Sequence, residues 1–162
     1  MDYKVKHGNT YIPLNSSANK SVITAATQSR KLCGDDTVKI TLQSAEYINF
    51  AIGDTIDVFG TTYTINQLPT VKRNGERDYE YTLVFEGLQY ALIDRVFLMP
   101  DNTEGNNLMF DLAGMMAVLI TNITRGNSGK PYVLGTCPTD TEYKNLSLTE
   151  KNCLQVLQQL CQ

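Results

Sequence analysis

Residues Tyr79 to Glu86, YEYTLVFE, alternate strictly: Tyr79, Tyr81, Leu83 and Phe85 on one side, Glu80, Thr82, Val84 and Glu86 on the other. A period of two over eight positions is the pattern of a half-buried β-strand and does not fit a helix, whose apolar stripe repeats every three to four residues. The strand lies at the end of a longer stretch, Tyr47 to Leu92, in which short strands are separated by turn residues. Ile52-Gly53-Asp54 leads into Thr55–Phe59, with Ile56 and Val58 on one face, and Gly60 turns the chain into Tyr63-Thr64-Ile65. Pro69 closes that strand because proline cannot donate to a ladder. The polar segment up to Asp78 is predicted to turn at Asn74-Gly75. This is a β-meander with few spare functional groups.

More strands are predicted on the N-terminal side. Tyr3 and Val5, then Gly8-Asn9, then Tyr11-Ile12-Pro13 form a short hairpin. Asn15–Ser21 is a loop, Val22–Ala26 a strand, and Gly34-Asp35-Asp36 a turn before the alternating Val38, Ile40 and Leu42. Gly87 ends the strongest strand, and Gln89–Leu92 is expected to add one more. Residues 1–98 therefore predict a small antiparallel β-barrel or sandwich.

The pattern changes after Met99-Pro100. Residues 99–107, with DNTEGNN at 101–107, form the expected linker. In 108–162 the readings are a strand at Leu108, Phe110 and Leu112, then a helix carrying Met115, Met116, Leu119, Ile120 and Ile123 that stops at Arg125-Gly126-Asn127. Pro131–Gly135 is a short extended piece. Ser147-Leu148-Thr149-Glu150 has the capping-box pattern before an amphipathic helix with Leu154, Val156, Leu157, Leu160 and Cys161 on its apolar stripe. The fold class is α+β: an N-terminal antiparallel barrel or meander, a strand-helix segment and a C-terminal amphipathic helix. The apolar stripe runs to Gln162, so 108–162 is expected to be the start of a second domain in a longer protein.

Composition excludes several function classes. Apolar residues are 42% of the 162, enough for a core, and the net charge is −3 with no basic stripe, which argues against nucleic-acid recognition. The N-terminus lacks the apolar run of a signal peptide, and the longest apolar run, near Leu112–Ile120, is too short to span a bilayer. Synthesis in a cytoplasm follows as the default. Asn15-Ser16-Ser17 and Asn122-Ile123-Thr124 match glycosylation acceptors but carry no weight without a signal peptide. Cys33, Cys137, Cys153 and Cys161 form no CxxC pair and lie far in sequence from the single histidine, His7. They are expected to be buried reduced thiols rather than metal ligands.

Catalytic signatures are missing. Gly126–Lys130 falls short of the phosphate-loop spacing, and Pro131 follows Lys130 where Ser or Thr is needed. Paired-carboxylate hydrolysis requires acids about 5–10 Å apart in a cleft; Asp54 with Asp57, and Glu80 with Glu86, are expected at turns and on solvated strand faces. His7 has no nucleophile motif with it. No cofactor, metal or catalytic residue is therefore assigned. The residues singled out are Lys72, Arg73, Arg77, Tyr79 and Tyr81, on or beside the 68–78 hairpin, as oligomer-interface candidates.

The order of these pieces resembles the N-terminal part of phage tail baseplate hub proteins, the tail-associated "Tal" family. The resemblance rests on Ala45–Phe50 leading to Gly53-Asp54; on Val58-Phe59-Gly60 with Tyr63-Thr64-Ile65 and Pro69; and on Tyr79–Gly87. Phe110–Gly114, the following helix and Asn122–Arg125 complete it, over most of residues 38–160. It implies a non-enzymatic virion component, a homotrimer whose ring joins the tail tube to the tail tip, with tube and distal tail proteins as partners. Any cell-wall hydrolase of that family lies in downstream segments. The rival readings are a small-ligand or carbohydrate-binding β-barrel module, which requires a deep concave site, and a peptidoglycan hydrolase, which requires clustered nucleophile or metal ligands.

Overall fold

The computed structural model describes residues 3–18, 20–31, 34–99, 108–125, 133, 135–138 and 141–161. The chain divides into two compact units, Met1–Gln89 and Tyr90–Gln162. The first is an antiparallel curled half-barrel sheet of eight strands: β1 (Lys4–His7), β2 (Thr10–Pro13), β3 (Ser21–Arg30), β4 (Asp36–Ser44), β5 (Thr55–Val58), β6 (Thr61–Thr64), β7 (Thr70–Gly75) and β8 (Asp78–Glu86). Their order is β2-β1-β5-β6-β8-β4-β3, with β7 also paired to β8.

β8 is the hinge of this arrangement. One of its edges pairs with β4 along its length, Val38 opposite Phe85, Ile40 opposite Leu83 and Leu42 opposite Tyr81. Its other edge takes β7 near the start of the strand and meets β6 at Thr64 and Glu86. Tyr81, Leu83 and Phe85 are wholly buried, as the alternation predicts, with Val38, Ile40, Leu42, Ile56, Val58, Tyr63 and Phe50 around them. Each such side chain contributes about 1.5–3 kcal/mol on leaving water, so the concave face of the sheet is the core of this unit.

The turns follow local chemistry. Gly53 has φ +93 and donates its N–H to Ile65 O at 2.8 Å, while Ile65 N–H returns to Asp54 O at 2.8 Å. Phe59 and Gly60 join β5 to β6, both with positive φ (48 and 79); this matches the right-handed strand twist, although a bulky Phe in the left-handed region costs about 1 kcal/mol. The β7–β8 hairpin turns at Glu76-Arg77 rather than at Asn74-Gly75. Asn74 instead sits in a register shift between Arg73 and Gly75, so 70–75 is strand.

In the second unit β9 (Leu108–Phe110) pairs with β10 (Lys144–Leu146); α1 (Leu112–Thr124) lies between them in the chain and α2 (Cys153–Leu160) follows β10. A separate core gathers Leu92, Phe97, Met115, Leu119, Ile123, Leu148, Cys153, Leu154 and Val156. Because Leu92 and Phe97 belong to this core, the unit boundary falls earlier than residue 98. Leu88–Leu92 is a short 3-10 helix, not the extra strand expected there. The 101–107 linker, the Gly126–Lys130 turn, Pro131, Tyr132 and Leu134 lie outside the described residues.

The α2 start also differs from expectation. Glu150 has φ +56 and cannot open a helix. The capping box lies five residues later: Asn152 Oδ1 accepts Gln155 N–H at 2.9 Å, and Gln155 Oε1 accepts Asn152 N–H at 3.0 Å. At α1, Asp111 caps by accepting Gly114 N–H at 2.7 Å. Asn122, half of a glycosylation sequon, is a buried staple. Its amide donates to Leu98 O at 2.7 Å and Val118 O at 3.0 Å, and its carbonyl accepts Leu98 N–H at 2.9 Å.

Candidate functional site

Of the ionisable groups raised as catalytic candidates, His7, Asp54, Asp57 and Glu86 have side-chain partners. His7 Nδ1 lies 2.8 Å from Asp54 Oδ1 and 3.1 Å from Oδ2, and Asp54 Oδ2 also accepts Ala51 N–H at 2.8 Å. Asp54 is only 4% exposed, which corrects the expectation that it lies on a solvated face. The dyad ties β1 to the corner before β5. Asp57 accepts the Thr62 hydroxyl, and Glu86 accepts Asn66 Nδ2 at 2.8 Å. Among the described residues no three His, Cys, Asp or Glu side chains come together as a metal site.

The cysteines divide. Cys153 is buried, and desolvation pushes its thiol up to about 11 against a weaker lowering by Arg95, so it is inert as a nucleophile. Cys137 is a half-buried free thiol. Cys161 is disulfide-bonded and exposed at the end of α2, correcting the expectation of a buried reduced thiol; an eight-residue helix ends before its side chain can join the apolar stripe. Cys33 lies outside the described residues.

The interface candidates occupy the β7–β8 hairpin. Every residue of β7 is exposed, Lys72 and Arg73 included, and Arg77 is exposed at the turn. Lys72 faces Glu80 across the ladder, and Arg73 faces Tyr79. Arg73 Nε donates to Gly75 O at 2.9 Å, and its guanidinium lies 5.8 Å from the Tyr79 ring centroid, within cation–π range. Tyr79 is half-buried, whereas Tyr81 is fully buried. Its hydroxyl accepts Ile48 N–H at 2.7 Å, and burial raises its pKa. Tyr81 therefore presents no surface and is withdrawn as a contact residue.

Tyr47 is the residue that sequence reasoning missed. It is 62% exposed and stands edge-on to Tyr79, centroids 5.8 Å apart. With Arg73 it forms a Tyr-Tyr-Arg patch of the composition that dominates binding energy at protein interfaces. Thirty-two positions separate Tyr47 and Tyr79 in the chain, so no local periodicity pairs them. The outer edge of β3 is a second candidate surface. It runs ten residues, SVITAATQSR, mostly exposed, with Arg30 its single charge. Natural edge strands usually carry Lys, Pro or a bulge to block pairing; β3 has only the irregularity between Ile23 and Ala25. At the opposite edge, β2 is four residues long and ends in Pro13.

Cavities are small. One of about 290 Å³ lies in the second unit beside Phe110, Asp111, Glu142, Leu146, Gln159 and Leu160. Another of about 190 Å³ lies in the first, against Val38, Ile40, Val58 and Phe59. The smaller falls below the range of about 300–1,000 Å³ that holds drug-sized ligands, and the larger sits at its lower limit. Among the described residues no helix is long and apolar enough to cross a membrane.

No protein-family profile matches the chain, and no curated protein matches it in sequence. In fold it is similar to prophage tail protein gp18 from Listeria monocytogenes EGD-e, known from a crystal structure at 1.70 Å, with a TM-score of 0.57 and 12% identity. The match covers 99% of this chain and 45% of that one, so the chain spans less than half the length of the protein it matches. At this identity the likeness is one of fold.

Proposed function

We propose that this chain is a non-enzymatic structural component of a phage or prophage tail, part of an oligomeric hub ring joining the tail tube to the tail tip. The observation that carries the reading is the fold likeness to a prophage tail protein over 99% of the chain. The site chemistry agrees with it: His7, Asp54, Asp57 and Glu86 are engaged in hydrogen bonds within the fold, and the exposed features are a hairpin and sheet edges. In the assembly the Tyr47–Tyr79–Arg73 patch, with Lys72 and Arg77 at the hairpin, contacts a neighbouring subunit, and the β3 edge extends the sheet. The partners are further copies of the chain, as a homotrimer, together with tube and distal tail proteins; the place is the virion tail.

The test is the mass of the full-length gene product by multi-angle light scattering, with negative-stain imaging of the same sample. A trimer forming rings is expected. A protein that stays monomeric at tens of micromolar refutes the hub reading. A trimer that dissociates in an Arg73→Glu, Tyr79→Ala double variant places the contact on the hairpin.

A further inference from the structure

Backbone alternation decides which free edges of the first unit can join. Asp36 O accepts Gly87 N–H at 2.8 Å, so Asp36 turns its backbone groups to β8 and away from β3. Residues of an antiparallel strand face their two neighbours in turn. Val38 and Ile40 therefore also face β8, and their partners on β3, Gln28 and Ala26, turn N–H and C=O to the outer edge, as does Arg30. Among the described residues no strand lies against that edge. On β8, Thr82 and Glu80 face β7, so Thr70 and Lys72 face back and Val71 and Arg73 point outward. β7 pairs with β8 alone.

Directly opposed residues of an antiparallel pair carry their side chains on one face of the sheet. Ala26 and Gln28 belong to the concave face: both line the cavity of about 190 Å³ with Val38 and Ile40, and Gln28 Nε2 donates to the Tyr63 hydroxyl at 2.9 Å. Val71 stands opposite buried Tyr81, and Arg73 opposite Tyr79, which packs on the same core. A β3 edge set against a β7 edge thus joins concave face to concave face. The β2 edge does not match. Leu14 N–H bonds Tyr3 O at 3.0 Å, which turns Ile12 to β1 and leaves Tyr11 and Pro13 outward. Pro13 has no N–H, and Tyr11, opposite exposed Lys6, carries its side chain on the outer face.

Resting on the ring reading above, we infer that β3 of one copy pairs antiparallel with β7 of the next, Ala26 opposite Arg73 and Gln28 opposite Val71. Each of these pairs exchanges both N–H···O bonds. A ring of identical copies needs two different edges, because a β3–β3 contact is self-complementary and closes as a dimer. The register sets the long Arg73 beside small Ala26 and keeps it off Arg30. It also brings Val71, 42% exposed in the single chain, over the cavity that Ala26 and Gln28 line.

The test oxidises the full-length gene product carrying Thr27→Cys and Lys72→Cys, two exposed positions that this register sets opposite each other, beside each single variant. A covalent ladder ending at the trimer is expected from the double variant on gels without reductant, and no ladder above the parent from either single one. Ala26→Pro deletes one outward N–H and spares the β4 ladder. It is expected to weaken association at least about tenfold by light scattering, with an unchanged circular dichroism spectrum. A ladder from Thr27→Cys alone, or a trimer that neither cross-links between 27 and 72 nor responds to Ala26→Pro, overturns the pairing and leaves the tail reading standing. A parent protein that is monomeric overturns both.

Discussion

Tyr81→Phe deletes one oxygen and nothing else from the core of the sheet. That oxygen accepts Ile48 N–H at 2.7 Å, and the ring stands edge-on to Phe50 with centroids 5.4 Å apart. The ring packing survives the substitution, so the loss comes from the hydrogen bond. A typical bond contributes about 0.5–1.5 kcal/mol net, and an amide left without its acceptor costs about 1–3 kcal/mol. Ile48 is half-buried, so water partly reaches the freed amide and the lower part of that range applies, about 1–1.5 kcal/mol. With a urea dependence of about 1–3 kcal/mol per molar, the midpoint followed by circular dichroism falls by roughly 0.3–1.5 M. The same residue makes a pH prediction. Burial is the first cause that raises the Tyr81 pKa above 10.0, so the folded state holds its proton longer than the unfolded chain does. The contribution is complete below pH 10 and is lost as pH rises from there through the folded-state value. Tyr81→Phe removes that alkaline component, so the variant loses less stability than the parent above pH 10. An unchanged midpoint, or an alkaline loss of equal size in both proteins, refutes the account of this hydrogen bond.

Asn122→Ala orphans both backbone groups of Leu98 that the side chain holds; a loss of about 3 kcal/mol in the second unit is expected by denaturation, and Asn122→Asp, which sets a buried carboxylate oxygen against the Leu98 and Val118 carbonyls, is expected to lose at least as much. Asn152→Ala breaks the capping box on α2 and is expected to cost about 1 kcal/mol, read as earlier loss of helical signal on heating. Phe59→Asn places a residue tolerant of the left-handed region at φ +48, 73% exposed, and is expected to stabilise the first unit by about 0.5–1 kcal/mol in the same titration; a destabilisation would assign Phe59 a packing role instead. Gly87→Ala drives a Cβ into the Asp36 carboxylate, which also accepts the Tyr63 hydroxyl at 2.9 Å, and is expected to cost about 1–3 kcal/mol.

Features that depend on neighbours along the chain were legible in the residues alone. The alternation at 79–86, the Gly8-Asn9 hairpin and the helical spacing of Met115, Leu119 and Ile123 each put the right side chains in a core, because side-chain direction repeats with backbone period. The α+β class followed from the same local information. Other choices depended on tertiary partners. Asn74-Gly75 is a good turn locally, yet pairing of Arg73 with Tyr79 and Gly75 with Asp78 moved the tip to Glu76-Arg77. Ser147–Glu150 and Asn152–Gln155 are both capping boxes by composition; burial of Leu148, Cys153 and Leu154 selected the second. Asp54 became buried because His7 and the Ala51 amide meet it from elsewhere in the chain. The Tyr47–Tyr79 contact and the cavity beside Phe110, Leu146 and Leu160 likewise join residues distant in sequence. Local periodicity determines which way a side chain points, whereas what it meets there is decided only when the rest of the chain has folded around it.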